Sequence, residues 1–495
     1  MNYLARNLML FVLMSFAGLL YAETSTSAVD LTTSTAPVTA GVVAADMTPA
    51  VVAEAPAATA PVVATRTVEK GDTAWMMIST ILVILMVIPG LALFYGGMVR
   101  AKNMLSVLMQ VFVIFALMAI LWAVYGYSVA FTEGNEFFGG LSKMFLLGIT
   151  PESLVATFSK GIYLPEYIYV AFQLTFAAIT PALIIGAFAE RVKFSAVLLF
   201  MVIWFTFAYL PMAHMVWYWD GPDAYTDAAA ASVAASHAGF LFQKGALDFA
   251  GGTVVHINAG IAGLIGCLLV GKRIGFRKES LAPHSVTMTM IGAALLWVGW
   301  FGFNAGSALT ADGRAGMAML VTHIGAASGA LTWMFIEWKR FGKPSVLGIV
   351  TGMVAGLGTI TPASGFVGPA GALVIGIVAG FVCFYATQYV KRTLKIDDSL
   401  DVFPVHGIGG IAGSLLTGVF AAGSLGGLGL PEGISIMDQV SIQAVGVVVT
   451  ASWSALFSFL ILKMLDKWIG LRVTPDEEVQ GLDTVLHEET GYLDL

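Results

Sequence analysis

Two histidines carry the most chemistry in this sequence. His256 and His406 each lie inside a long apolar segment, and each follows an aspartate, Asp248 or Asp398, by eight residues. An imidazole in hydrocarbon is costly unless it faces a partner or a cavity, so both are candidate functional groups. Two neutral imidazoles that meet can share one proton between facing nitrogens and still offer a polar face to a small guest. A metal site would need three or four ligands converging within about 2 Å of the ion. Eight helical residues put Asp248 about 12 Å from His256, so the two cannot hold one ion. The two cysteines, Cys267 and Cys383, sit inside apolar spans and suggest neither a disulfide framework nor a metal cluster. The sequence has no second histidine pair of this kind and no haem-attachment motif, so no cofactor is expected. Asp248 and Asp398 are read first as helix caps, where a carboxylate accepts free N–H groups and complements the dipole. Asp248, near one mouth, also adds negative potential there.

Aromatic clusters supply a second kind of chemistry. Phe172 and Phe176 open one apolar segment, Trp217 closes the next, and Phe303 and Ser307 close a later one. If these ends converge on one rim, the rings attract a cation through their quadrupoles, by about 2 kcal/mol or more when desolvated. A serine hydroxyl there can accept a hydrogen bond from an N–H cation. An interfacial aromatic belt accounts for Trp219 and Trp468 but less well for the Phe-x3-Phe and Phe-Asn-Ala-Gly-Ser clusters.

The elements that must position these residues are membrane helices. Hydrophobic residues make up 58% of the 495, charged residues 11%, and the mean hydropathy is +0.85. A soluble domain carries about 25% charge, so a single integral membrane domain over 71–467 is expected. Eleven spans are predicted to start near Ala74, Met104, Ile168, Phe194, Gly251, Ser285, Gly316, Val346, Val367, Phe403 and Met437. Each is read as long enough to cross about 30 Å of hydrocarbon. Residues 1–22 read as a secretory signal peptide cleaved after Ala22, and 23–70 as a flexible Ala/Thr/Pro-rich external segment. Residues 468–495 form a tail.

Lysines and arginines alternate with the spans. Arg100, Lys102, Arg191, Lys193, Lys272, Arg273, Arg277 and Lys278 fall on one side, as do the later clusters at Lys339–Lys343, Lys391–Lys395 and Lys463–Arg472. The loops on the other side hold only Lys143, Lys160, Lys244 and Arg314. By the positive-inside rule the amino end is outside and the tail cytoplasmic. A repeat confirms the architecture: Val255–Gly263 and Val405–Gly413 agree at six of nine positions, with the aspartates in register. The unit is five helices, an odd number, so its second copy enters the membrane with opposite polarity. The expected fold is therefore all-α, two inverted five-helix repeats plus an eleventh helix, with the shared site near mid-depth.

Asp248–Asn258 (DFAGGTVVHIN) resembles the signature of the ammonium transporter (Amt/Mep/Rh) family. Gly90–Gly97, the Trp300–Ser307 run, Asp401–Gly407 and the tail Gly470–Val473 with Gly481–Asp483 follow in order. The resemblance runs from about residue 72 to the end and is nearest to the bacterial Amt branch. It implies a homotrimer in the inner membrane with one pore per subunit, and it implies no enzyme. Trp217, Phe176 and Ser307 would form the outer ammonium site with Phe172 beside it and Asp248 in support. Phe176 and Phe303 would gate, and His256 and His406 would line the pore. NH₄⁺ would shed a proton and cross as NH₃, with or without that proton following, which K⁺ and Na⁺ cannot imitate. A PII-type signal protein would dock on the cytoplasmic loops Lys272–Lys278 and Lys391–Asp401; membrane lipids surround the chain, and no nucleic acid is expected. An ammonium sensor with a vestigial pore is the alternative. Three features depart from the pattern: the outer loop Trp219–Gly245 and the 23–70 tract are long, and Pro404 stands where a small residue is common.

Overall fold

The computed structural model describes residues 66–492. The signal peptide and all but the end of the 23–70 tract lie outside the described residues. That end, Arg66–Lys70, is built into the fold: β1 (Thr67–Val68) pairs in parallel with β3 (Ile162–Pro165), which pairs antiparallel with β2 (Leu154–Ala156).

Among the described residues ten helices are long and apolar enough to cross a membrane. They are α1 (Lys70–Met98), α2 (Ala101–Phe131), α3 (Glu166–Phe188), α4 (Phe194–Trp217), α5 (Gly252–Val270), α6 (Val286–Gly306) and α7 (Gly313–Phe341), then α9 (Pro369–Thr393), α10 (Phe403–Phe420) and α11 (Ile436–Trp468). The eighth expected span is shorter than the length expected of every span. Helix α8 (Val346–Ile360) has only 15 residues, about 22 Å at about 1.5 Å each. It stops where the chain turns through Thr361–Phe366. Pro362 lies in that turn and has no N–H with which to continue the ladder. With α8 counted, the described residues hold the eleven expected helices.

The repeat is visible in how equivalent helices meet. Helices α1 and α6 cross antiparallel: Leu82 lies by Gly302, Met86 by Gly299 and Phe94 by Gly292. Helices α5 and α10 do the same around the centre. A Cβ at Gly260 would fall 2.3 Å from the backbone nitrogen of Gly407, so glycine there lets the two backbones touch and brings their histidines together. Helix α11 straps the first half, with the buried Trp204 indole on α4 donating to the Ser458 hydroxyl at 3.0 Å.

At the basic end the loops interlock. Glu190 accepts from the Arg100 guanidinium at 2.8 Å and from Arg273 at 3.2 Å, and Arg273 also reaches Asp397 at 2.8 Å. The tail closes over this network. Glu478 accepts from the Ile274 N–H at 2.7 Å, and Asp483 from Leu105 and Ser106 at the start of α2. The long loop at the opposite end is also built. Asp227 caps the helix Ala228–His237, Asp223 accepts from Gly161 and Tyr163, and Asp220 faces His237 at 3.2 Å.

Candidate functional site

Each histidine is presented by the same device. Helices α5 and α10 both begin in a wide π-type turn, Gly252–Ile257 and Phe403–Ile408, and each turn carries its histidine. Such turns are rare and recur at functional sites. Both expected aspartate caps are present. The Asp248 carboxylate accepts from the N–H groups of Gly251, Gly252, Thr253 and Val254 and from the Thr253 hydroxyl. Asp398 accepts from Val402 at 3.0 Å and Phe403 at 2.7 Å. Entry into α5 also needs Gly251, whose φ of 104° is open to glycine and strained for other residues.

The two histidines meet at the centre of the molecule. Their Nδ1 atoms are 3.1 Å apart and their rings nearly coplanar, at 10°. One Nδ1 therefore carries the shared proton and the other supplies the lone pair. A neutral pair then leaves one lone pair and one N–H at its two Nε2 atoms. The buried His256 Nε2 has no hydrogen-bond partner in the protein. Trp300 stacks on His256 at 5.5 Å and 14°, held by its indole N–H to Thr361 at 2.8 Å. This ring was not assigned in the sequence reading. Its position one turn before Phe303 was the available signal.

The aromatic residues form a column above the histidines. Phe303 lies 6.3 Å from His256, and Phe176 stacks on Phe303 at 4.2 Å. Phe172 packs edge-on to Phe176 at 5.1 Å, and Trp217 edge-on at 5.7 Å. Stacking at 4.2 Å leaves no gap between the two rings, so passage requires one of them to swing. Trp217 is half-exposed at the column's end, where its indole N–H donates to the backbone carbonyl of Asp248 at 3.0 Å. Ser307 donates to the Phe303 carbonyl at 2.9 Å, which leaves its oxygen lone pairs free. The expected residues are thus gathered in one column, with Asp248 in its expected capping part. Its carboxylate is occupied by the helix, and it reaches the rim only through its carbonyl.

Beyond His406 a cavity of about 130 Å³ runs toward the basic end, lined by Phe94, Tyr95, Thr351, Val405, Asp401 and Lys391 among others. In the ion-pair network at the basic end, burial would push the Glu190 and Asp397 carboxyls up. Arg273, joined by Arg100 at Glu190, outweighs burial and holds both below their ordinary values. Burial, with the charge of Asp401, instead pushes Asp398 up to about 7. In the two loops expected to receive a signal protein, Arg273 and Lys391 form internal ion pairs. Among the described residues no group of three His, Cys, Asp or Glu side chains is placed to hold a metal ion.

Fold and column together define a polytopic helical membrane protein with two inverted halves, whose histidines meet beneath a column of aromatic rings. Residues 74–492 match the Ammonium Transporter Family. The chain belongs to that family, on its Amt branch. An ammonium transporter of Aquifex aeolicus is 45% identical over 427 residues, covering 86% of this chain and 94% of that one. Among solved structures, a Sensor Amt Protein superposes with a TM-score of 0.75 at 29% identity, covering 84% of this chain and 98% of its own. Mep2 of Saccharomyces cerevisiae superposes at 0.71 with 34% identity, covering 83% and 90%.

Proposed function

We propose that this protein moves ammonium by recruiting NH₄⁺ at Trp217, Ser307 and Phe176, with Phe172 alongside, and by passing it as NH₃ along His256 and His406. The observation that carries the reading is the single column from Trp217 through Phe176 and Phe303 to the facing histidines. At the rim the Trp217 face draws a cation and the Ser307 oxygen accepts from its N–H. The stacked Phe176 and Phe303 rings then demand dehydration, which an alkali cation cannot survive and which NH₄⁺ escapes by giving its proton to water at the rim and entering as NH₃. Past the rings, NH₃ is both a donor and an acceptor, so it can satisfy whichever of the two Nε2 atoms it meets. Asp248 serves by fixing the Trp217 indole and the start of α5, a positioning role.

In this proposal the protein is a homotrimer of the bacterial inner membrane, delivered by the signal peptide 1–22, with the amino end periplasmic and the tail cytoplasmic. A PII-type protein then meets the exposed Lys272, Arg277, Lys278, Arg392 and Lys395 rather than the paired Arg273 and Lys391. The likeness to a Sensor Amt Protein favours a second reading, ammonium sensing with a vestigial pore. The two histidine variants separate them. His256→Ala should abolish methylammonium uptake in liposomes while the protein remains assembled, and His406→Ala should do the same or admit K⁺. Normal uptake and selectivity in the double variant would remove the histidines from the mechanism.

A further inference from the structure

We infer that the pore has a second cation site at its basic end, the carboxylate of Asp401, and that Lys391 is its tethered occupant, displaced by each departing ammonium ion. This rests on the proposed route past His406.

The cavity below the histidines is continuous from His406 to this pair, since both His406 and Asp401 line it. The Lys391 ammonium sits 2.6 Å from one Asp401 oxygen. The other oxygen, Oδ1, is buried and has no hydrogen-bond partner. A buried carboxylate oxygen left unpaired is expensive, and a small N–H cation is the group that satisfies it. Asp401 is not needed as a helix cap, because Asp398 takes the free N–H groups of Val402 and Phe403. Nor is its backbone relaxed: φ is 61°, in the left-handed region that favours glycine. The ion pair itself is partly open to solvent, with 33% and 22% of the two side chains exposed, and such pairs add little to stability. Strain, an orphan oxygen and a cavity opening on the histidines together point to a ligand.

Lys391 decides what kind of site this is. Its Nζ is a primary ammonium, the same donor chemistry as NH₄⁺ and methylammonium. NH₃ that takes up a proton beyond His406 becomes a cation facing a carboxylate and would linger there. A tethered competitor at an effective concentration of millimolar or more keeps that residence short. The site thus attracts the product enough to favour its reprotonation, yet releases it.

The experiment is methylammonium uptake into liposomes preloaded with NH₄⁺ on the basic-end side. The wild-type protein should be little affected by luminal NH₄⁺ in the low-millimolar range. Lys391→Met should be inhibited by luminal NH₄⁺ at about a tenfold lower concentration, because the competitor is gone. Lys391→Met/Asp401→Asn should lose that sensitivity, since no carboxylate remains. Two results would overturn the inference: no added luminal inhibition in Lys391→Met, or equal inhibition in the double variant. Wild-type uptake without preloading reports separately on the pore reading, and an unchanged size-exclusion profile and thermal midpoint show that each variant is folded.

Discussion

Trp217 and Asp248 show how a single hydrogen bond can set a site. The indole N–H is fixed on the Asp248 carbonyl, so the ring's faces, rather than its polar edge, are turned to a guest. Replacing Trp217 with Leu removes about 2 kcal/mol of cation–π attraction, roughly a thirtyfold loss of affinity at about 1.4 kcal/mol per decade. Uptake measured across concentration should show a raised half-saturation value with a substantial maximal rate, because the gate and histidines are untouched. An unchanged half-saturation value would reduce the rim aromatics to an interfacial belt. Phe176→Ala should differ in kind, since it both thins the site and removes one plate of the 4.2 Å stack. Its maximal rate or its K⁺ exclusion should change as well. The identities of these residues were legible from sequence because aromatic and ionisable groups in apolar helices are conspicuous. What was not legible was orientation. Nothing in the spacing shows the Asp248 carbonyl turned to the Trp217 indole, or Trp300 laid on His256.

At the scale of elements, capping and buried charge hold the two histidine turns in place. Asp248→Ala removes the acceptor from four N–H groups at the start of α5, and loss of a cap costs about 0.5–2 kcal/mol. The thermal midpoint should fall, and half-saturation should rise with it as Trp217 loosens. A fall in stability with unchanged half-saturation would detach Asp248 from the rim. The basic-end network makes a stronger demand. Arg273→Gln leaves Glu190 and Asp397 buried without their main partner, and breaking such a pair costs about 3–5 kcal/mol. The sign with pH follows from the lowered carboxyls. Their contribution is complete above the ordinary carboxylate range and is lost as pH falls through the lower folded values. Acid should therefore lower the thermal midpoint of the wild-type protein more steeply than that of Arg273→Gln; parallel curves would show that the network contributes nothing. Span positions were readable within a few residues because hydropathy and length set them. The π-type turns at Gly252–Ile257 and Phe403–Ile408 were not, since a widened turn leaves no compositional trace. The short α8 was announced by Pro362, a signal outweighed by the apolar run around it.

At the scale of the whole molecule, the inverted repeat explains why the parts meet. Two copies of one Asp-x7-His segment enter from opposite sides, and the Gly260–Gly407 contact lets α5 and α10 approach until their imidazoles face at 3.1 Å. Both the repeat and its consequence could be read from the sequence, because Asp and His recur in register. The interlocking of tail and loops could not, because it depends on side chains far apart in the chain such as Ile274 and Glu478. In the proposed function the aromatic column, the histidines and the cavity beyond His406 form one path, closed by rings at one point and opening at the other end on a carboxylate. The central claim is that this path conducts ammonium and excludes alkali cations. Purified wild-type protein in liposomes, challenged with inward gradients of labelled methylammonium and, separately, of K⁺, tests it directly. Methylammonium uptake that saturates and is competed by ammonium, with no K⁺ flux above protein-free liposomes, is the result expected. Correctly assembled protein that moves neither ion would contradict the account and leave the column as a sensor's binding site.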